Sequence, residues 1–251
     1  MRLVAHQVLG STNTEALNLA RQGERGPLWI TAERQTAGRG RRGRAWISQP
    51  GNLYASLLLT APAPVAHWPE LSFVAALAIH DAVVEVAADC ARLLAIKWPN
   101  DLLLEGAKFA GILIEGEGGD GGDGGAVAVG IGINCVSHPA DTDYPATDLA
   151  AAGAPVSREK LFAVLSAKML GRLAQWNRGD GFSTIRADWL ARATGVGADI
   201  VVRLAEREII GRFEALDETG GLMLRLPDGN AVCIAAGDVF ISSASSAEKA
   251  S

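Results

Sequence analysis

The chain has 251 residues, of which 49% are hydrophobic and 20% charged, so it is long enough to bury a core without disulfide or metal support. Its formal net charge of −5 argues against a general nucleic-acid binder, because such proteins carry an excess of positive charge. The cysteines stand singly at positions 90, 135 and 233, a pattern that indicates neither a disulfide framework nor a zinc site and favours the reducing cytoplasm.

The first part of the chain predicts a helix and two strands separated by a long loop. Residues 11–22 open with Ser-Thr-Asn-Thr-Glu, in which Thr12 and Glu15 have the spacing of a capping box, and this predicts a short helix. Residues 28–33 and 53–60 are rich in β-forming residues. The glycine- and arginine-rich segment between them fits neither strand, so we expect a loop there.

The middle of the chain predicts a mixed sheet between two helices. Apolar residues recur at helical spacing between residues 73 and 84 and again between residues 161 and 176. Charged residues interrupt the apolar stretch 71–96, which excludes a membrane span there. Four segments are typical of strands: 93–98, 102–104, 109–115 and 126–134. The glycine-rich run 116–125 joins the last two, and its composition indicates a flexible hairpin tip.

The last part predicts a small β module followed by a tail. From about residue 195, apolar residues alternate over 200–204 and 222–226, with turn signals between the strands. Residues 242–251 are mostly Ser and Ala and have too little apolar content to pack, so we expect a disordered tail. The predicted division of the chain is 1–194, 195–241 and 242–251.

Residues 38–43 satisfy the letters of the GxGxxG dinucleotide fingerprint, but their context argues against it. The fingerprint must lead into a helix that holds a pyrophosphate, whereas here it leads into the strand at 53–60. Glycines that allow close backbone approach, interleaved with arginines that form bidentate hydrogen bonds, suit a ligand bearing phosphate or carboxylate groups. On this loop alone, a solvated basic loop or an RGG-like nucleic-acid contact is equally well supported.

A lysine and an aspartate downstream add to that anionic site. The run KWPND at 97–101 is followed, seven residues after Asp101, by Lys108, which opens the run KFAGILIE. A hairpin can bring the two side chains face to face, and such a lysine can stabilise charge that develops at an α-phosphate. The histidines, at positions 6, 67, 80 and 138, match neither a triad nor a metal-ligand spacing, so we assign them no catalysis.

Five motifs, taken in order, resemble those of biotin protein ligases. They are GSTN at 10–13, QTAGRGRRGRAW at 35–46, KWPND at 97–101, KFAGILIE at 108–115 and GIGIN at 130–134. The resemblance covers roughly residues 8–240, because the terminal module is also similar to the small domain that follows the catalytic domain in this family. It implies an α+β fold, with a mixed β-sheet and packed helices of the class II synthetase-like biotin/lipoate ligase type, followed by a small SH3-like β-barrel.

The resemblance also implies a reaction and its partners. ATP, with Mg²⁺, would activate biotin as biotinyl-5′-AMP, and biotin would pass to a lysine of a biotin carboxyl carrier protein or domain of a carboxylase. A lipoate or octanoate ligase has a similar fold, but the combination of RGRRGR and KWPND favours biotin. A second alternative, from a different functional class, is a non-enzymatic nucleic-acid binder that uses the arginine-rich loop at residues 38–46.

Some members of the family carry an N-terminal helix-turn-helix domain that represses transcription. With the first motif at residue 10, we expect no such domain in this chain and therefore no direct DNA binding. The sequence indicates no membrane association, and a homodimer remains an open alternative.

Carried over position by position, the resemblance assigns catalysis to Lys108 and Arg41, and Asp101 is the motif carboxylate that we expect near the anhydride. Lys108 would touch both reacting groups, and Asp101 would accept the proton that the acceptor lysine loses. The residues expected to line the biotin and adenylate site are Ser11, Thr12, Asn13, Gln35, Gly38, Arg39, Gly40, Arg41, Arg44, Trp46, Lys108, Gly111 and Asn134. Asn134 would lie beside the phosphate and the metal, although no side chain is assigned as a metal ligand.

Two expectations concern the parts that surround this site. Because the acyl-phosphate anhydride hydrolyses readily, the arginine loop and residues 135–147 should be mobile when the site is empty and ordered over bound adenylate. The terminal module contains none of the biotin or phosphate motifs, so we expect it to dock the carrier. A chain truncated near Gly195 should then, if it stays folded, retain measurable adenylate synthesis while losing much of its transfer to the carrier.

Overall fold

The structure is a computed structural model that describes residues 1–119, 124–142, 144–204 and 206–241. The predicted tail at 242–251 lies outside the described residues, and so do positions 120–123 of the predicted hairpin tip. A mixed sheet with four helices is followed by a small antiparallel sheet. This arrangement confirms the predicted α+β fold.

The main sheet has seven strands: β1 (Arg2–Leu9), β2 (Leu28–Gln35), β3 (Leu53–Thr60), β4 (Leu94–Lys97), β5 (Asp101–Leu104), β6 (Ala107–Gly118) and β7 (Gly125–Ile133). Their order is β1-β2-β3-β7-β6-β5-β4. Strands β1 and β2 run parallel, and every other neighbouring pair is antiparallel. Strand β1 was not predicted, because it is an edge strand with exposed apolar side chains and therefore lacks a clear alternation.

Four helices cover the sheet: α1 (Thr12–Arg21), α2 (Leu71–Val86), α3 (Arg158–Trp176) and α4 (Phe182–Leu190). Helix α1 packs with Leu58 and Ala128 on one face, whereas α2, α3 and α4 share a larger core with Leu57 and Val129 on the other face. Successive strand residues point to opposite faces, so β3 and β7 contribute to both cores. None of the helices in the described part of the chain combines the length and apolarity needed to cross a bilayer.

Helix α1 begins as predicted, but its cap differs from the predicted one. The N-cap is Ser11, whose hydroxyl accepts a hydrogen bond from the Thr14 N–H at 3.5 Å. The capping box built on Thr12 is therefore wrong by one position. The Thr12 hydroxyl is not available as a cap because it donates to Gln35 Oε1 across the sheet.

The small sheet contains β8 (Asp199–Arg203), β9 (Glu208–Leu216), β10 (Leu222–Arg225), β11 (Ala231–Ile234) and β12 (Asp238–Ile241). Its order is β11-β10-β9-β8-β12, and among the described strand pairs none joins β11 to β12. The predicted small β domain is thus present as an open antiparallel sheet, not as a closed barrel.

The small sheet shares a core with the main one. Its residues Phe213 and Leu222 belong to the same buried cluster as α2 and α3. At the junction, the indole N–H of the buried Trp98 donates to Gly220 O at 3.0 Å. Gly220 has a left-handed backbone, and a Cβ there would lie 2.6 Å from the Phe73 ring. The two parts are therefore tightly packed, and the division near residue 195 stays a prediction.

Candidate active site

A cavity lies on the α1 side of the main sheet, where glycines in two neighbouring strands leave the surface of the sheet without side chains. Along β7, Ala126 and Ala128 pack under α1, and Gly130 and Gly132 continue the same face. Gly111 of β6 pairs with Gly132, and we call Gly111, Gly130 and Gly132 the glycine floor. The cavity above it opens to solvent and has a volume of about 100 Å³ in this structure.

Most of the residues predicted for the site line this cavity. They are Ser11, Thr12, Asn13, Gln35, Arg39, Gly40, Arg41, Arg44, Trp46, Asp101, Lys108 and Gly111. They come from α1, from β2, β5 and β6, and from the loop after β2, so the fold gathers side chains that are about a hundred positions apart in the chain.

Gly38 and Asn134 lie outside the cavity lining. A Cβ on Gly38 would lie 2.8 Å from Trp46 O, so this glycine lets the loop fold back on itself. The Asn134 side chain is buried and donates to Thr147 O at 3.0 Å. Its position ties the segment after β7 to the sheet, and its expected place beside the phosphate and the metal stays a prediction.

The start of α1 supplies a polar wall next to the glycine floor. The Thr12 N–H donates to Gln35 Oε1 at 2.9 Å, and the Thr12 hydroxyl donates to the same oxygen at 3.1 Å. The buried Ser56 hydroxyl lies 2.7 Å from Thr12 Oγ1 and 2.6 Å from Asn13 Oδ1. These contacts fix the positions of Thr12, Asn13 and Gln35. The hydrogen-bonding groups of these residues are therefore held in fixed orientations beside the flat glycine floor.

The arginine loop, residues 38–46, closes over the opposite side of the cavity. The Gly40 N–H donates to Arg44 O at 2.7 Å, and the Trp46 N–H donates to Gly38 O at 2.9 Å. The Trp46 indole lies directly on the floor, because a Cβ on Gly132 would be 2.6 Å from it. A flat ligand can therefore reach the floor only if the loop moves outward.

Arg41 is the most enclosed arginine of the loop. Its guanidinium donates to Asn100 Oδ1 at 3.2 Å and to Gly237 O at 3.1 Å. Burial lowers the pKa of Arg41, and the carboxylates of Asp238 and Asp101 oppose that change. Because an arginine in a protein stays protonated, Arg41 brings a fixed positive charge to the cavity.

Three arginines of the loop surround one carboxylate of the terminal module. Asp238 lies 2.9 Å from Arg44, 3.4 Å from Arg42 and 3.8 Å from Arg41. Asp238, Val239 and Phe240 also line the cavity. The terminal module therefore contributes to the lining of the cavity, and the expectation that a chain truncated near Gly195 retains adenylate synthesis stays a prediction. No motif in the module indicated this contact.

We predict that Asp238→Asn makes the ligand-free arginine loop about three to ten times more susceptible to trypsin, which cleaves after arginine. The reason is that three ion pairs of modest strength would be lost together. Asp228→Asn is a matched control, because the described contacts of Asp228 are with Asn230 alone. Equal cleavage of the two variants in a timed digest would show that Asp238 does not hold the arginine loop in place.

Lys108 and Asp101 meet at the other end of the floor. Lys108 Nζ lies 2.5 Å from Asp101 Oδ1, and Lys97 Nζ lies 3.5 Å from Asp101 Oδ2. The β4–β5 hairpin produces this arrangement, since it pairs Lys97 with Asp101. Lys108 Nζ also lies 5.5 Å from the centre of the Trp46 ring and 5.2 Å from that of Tyr144. Two ammonium groups thus face the arginine loop across the cavity.

Several lining residues were not predicted for the site. They include Lys97, Pro99, Asn100, Gly130, Gly132 and Tyr144. The alternating glycines of GIGIN carried a usable signal, since residues two apart on a strand share a face. Lys97 and Asn100 lie within KWPND, where the resemblance indicated only Asp101. Tyr144 lies in the segment 135–147 that was expected to cover the adenylate, and a bridge between Ala146 and Lys108 brings this segment to the site.

Comparisons with known proteins agree with this geometry. Residues 5–134 match the family described as Biotin/lipoate A/B protein ligase family, and residues 197–242 match the Biotin protein ligase C terminal domain. A Biotin--[acetyl-CoA-carboxylase] ligase of Paracoccus denitrificans is 43% identical over 92% of this chain and 96% of its own length.

Two further proteins, one compared by sequence and one by structure, are similar to this chain. The Bifunctional ligase/repressor BirA of Bacillus subtilis is 33% identical over 90% of this chain and 70% of its own length. The structure of a biotin protein ligase from Aquifex aeolicus in complex with biotin and ATP superposes with a TM-score of 0.80. That superposition covers 96% of this chain and 99% of the Aquifex chain, at 26% identity.

Proposed function

Since this chain belongs to the biotin protein ligase family, we propose that it activates biotin with ATP and transfers it to a lysine of a biotin carboxyl carrier protein, with both steps in the cavity over the glycine floor. One observation carries the assignment of the cavity. The ammonium group of Lys108 lies between the glycine floor and the arginine loop, held by Asp101 at 2.5 Å. A carboxylate and a phosphate can both reach it there.

The glycine floor and the polar wall form the biotin half of the proposed site. A rigid bicyclic ring can lie flat on a strand that lacks side chains, which is what the floor provides. Ser11, Thr12, Asn13 and Gln35 provide the hydrogen-bonding groups beside it. The Trp46 indole, which rests on the floor in this structure, would move outward to admit the ring and then cover it.

The first chemical step is the attack of a biotin carboxylate oxygen on the α-phosphorus of ATP. A bond between that oxygen and phosphorus forms, the bond to pyrophosphate breaks, and biotinyl-5′-AMP remains. Two anions must approach one another, so the fixed positive charges of Lys108 and Arg41 lower the barrier by offsetting their repulsion and the charge that develops at phosphorus. Positioning of both reactants adds to the rate.

In the second step, the carrier lysine attacks the carbonyl carbon of the anhydride. The carbon–nitrogen bond forms, the carbon–oxygen bond to AMP breaks, and the amine gives up a proton. We propose that the main role of Asp101 is to position Lys108, because each carboxylate oxygen of Asp101 lies close to a lysine. Asp101 would serve as the base only if one of these ion pairs opened.

Mg²⁺ accompanies ATP in this chemistry and neutralises phosphate charge when bound. Among the residues that the structure describes, the carboxylates lining the cavity are Asp101 and Asp238. Both are already paired with basic side chains. We therefore assign no side chain as a metal ligand and derive no step through the ion.

The rivals differ in the ligand they require. A lipoate or octanoate ligase would hold a flexible acyl chain, whereas the glycine floor that the Trp46 indole covers is flat and suits a rigid ring. A nucleic-acid binder would need free arginines, whereas Arg39, Arg41, Arg42 and Arg44 all contact carboxylates of this chain. We propose that the protein acts in the cytoplasm, where ATP and carboxylase carriers are found, and that it does not bind DNA directly. The homodimer stays a prediction.

The test of the proposed function is the transfer reaction itself. Purified protein, ATP, Mg²⁺ and biotin are incubated with a biotin carboxyl carrier domain, and the modified residue is located by mass spectrometry. We expect one carrier lysine to gain biotin in an ATP-dependent way. The same carrier with that lysine changed to arginine should remain unmodified, and unmodified carrier in the complete mixture would contradict the proposal.

A further inference from the structure

Glu115 lies on the strand that leads away from the glycine floor, one step outside the cavity lining. It is in β6 and pairs with Ala128 of β7, so its side chain shares the α1 face of the sheet with Gly111. Its carboxylate is half-buried, with 28% of the side chain exposed. No step of the proposed reaction uses it.

The carboxylate of Glu115 holds Arg39, the first arginine of the arginine loop. Arg39 Nε donates to Glu115 Oε1 at 3.0 Å, and Arg39 Nη2 donates to Oε2 at 2.9 Å. The remaining terminal nitrogen of Arg39 donates to Thr14 Oγ1 at 2.9 Å. A bidentate pair of this kind is both stronger and more directional than a single contact. The loop is thus anchored to β6 and α1 at the point where it leaves β2.

The same carboxylate also orients Asn13 in the polar wall. Asn13 Nδ2 donates to Glu115 Oε2 at 2.9 Å and to Leu113 O at 3.2 Å. On the other side of the amide, Oδ1 lies 2.6 Å from the Ser56 hydroxyl and presses on Gly130, where a Cβ would be 2.4 Å away. Glu115 therefore helps decide which end of the buried amide faces the floor.

We propose that Glu115 is a positioning residue that holds the biotin-binding wall and the arginine loop in one fixed frame, and that it thereby sets the affinity for biotin and the retention of the adenylate. This inference rests on the proposed function. Arg39 then serves as an anchor of the loop, and the cations of the proposed first step are those of Arg41 and Lys108.

Glu115→Gln is the decisive variant because it keeps the size of the side chain and changes one acceptor into a donor. Three N–H groups from Arg39 and Asn13 converge on the two oxygens of Glu115, so a glutamine must place an amide donor against another donor. Glu117→Gln is a matched control, since Glu117 lies two residues along the same face and pairs with the exposed Arg21.

For Glu115→Gln we expect the KM for biotin to rise about tenfold and biotinyl-adenylate to dissociate about tenfold faster, as loss of a charged hydrogen bond implies. The kcat at saturating biotin and the KM for ATP should change by less than about twofold, and Glu117→Gln should leave all four values within about twofold. A loss of kcat with unchanged KM for biotin would overturn the proposal, and so would identical behaviour of the two variants.

Arg39→Gln keeps the inference testable if Glu115→Gln melts at a lower temperature than the control. It leaves the Asn13 contact in place, so adenylate release should quicken while the KM for biotin rises less than it does in Glu115→Gln. In the double variant, adenylate release should be no faster than in Glu115→Gln alone, because both changes break one contact. Losses that multiply would overturn the proposal. A wild-type protein that forms no adenylate would instead overturn the proposed function.

Discussion

Lys108→Ala should lower the rate of biotinyl-adenylate formation by at least about a hundredfold, which is the scale of losing one electrostatic group that acts in the transition state. The ammonium group is held at the cavity by Asp101 and lies near the rings of Trp46 and Tyr144. Its removal leaves two anions to approach without their nearest cation. Single-turnover assays with saturating biotin and ATP measure the effect on the chemical step.

The folded state should survive this change well enough to be assayed. Lys97 remains 3.5 Å from the other oxygen of Asp101, so the carboxylate keeps a cation beside it. Lys168→Ala is the matched control, because Lys168 pairs with Glu85 far from the cavity lining. Both variants should give a single cooperative melting transition. Near-normal adenylate formation in a folded Lys108→Ala protein would remove this lysine from the proposed mechanism.

Arg41→Ala should release the adenylate about ten to a hundred times faster than the wild type, with a smaller change in ATP affinity. The buried guanidinium bonds to Asn100 and Gly237, and it is the arginine that joins the loop, the main sheet and the terminal module. Loss of charge-assisted contacts worth about 1.4 to 2.7 kcal/mol in total accounts for this range. The expected product is a reactive anhydride in solution.

The escaped anhydride gives a convenient measurement. A bystander protein without a carrier domain should gain biotin on exposed lysines when it is mixed with Arg41→Ala, but not with the wild type. Arg42→Ala serves as the control, because Arg42 is more exposed and contacts Asp238 at 3.4 Å. Equal labelling of the bystander by the two variants would show that Arg41 has no special part in retention.

The elements that the sequence predicted well are those whose pattern is set by burial. Strands β2 and β3 and helices α2 and α3 bury apolar residues at the spacing of their type, and the structure has them where the pattern places them. Strand β1 is an exposed edge strand and α4 is short, so neither shows a clear periodic spacing of apolar residues in the sequence. The cap of α1 was misplaced because a long-range partner, Gln35, engages Thr12.

The candidate site was predictable where local motifs carry it and unpredictable where tertiary contacts complete it. The runs at 10–13, 35–46 and 108–115 contributed most of the lining. Asp238 could not be found in this way, because a single aspartate in a β module has no pattern and its contact with Arg44 joins residues 194 positions apart. Glu115 lay inside a recognised motif, but its two partners come from separate elements.

The central claim is that the cavity forms an adenylate of biotin, and exchange of labelled pyrophosphate into ATP tests it most directly. With wild-type protein and Mg²⁺, exchange should require biotin and should be weak or absent with lipoate or octanoate at the same concentration, since the flat glycine floor under Trp46 suits a rigid ring. The Lys108→Ala protein should show at least about a hundredfold less exchange. Exchange supported by lipoate and not by biotin, or exchange that needs no acid at all, would contradict the account.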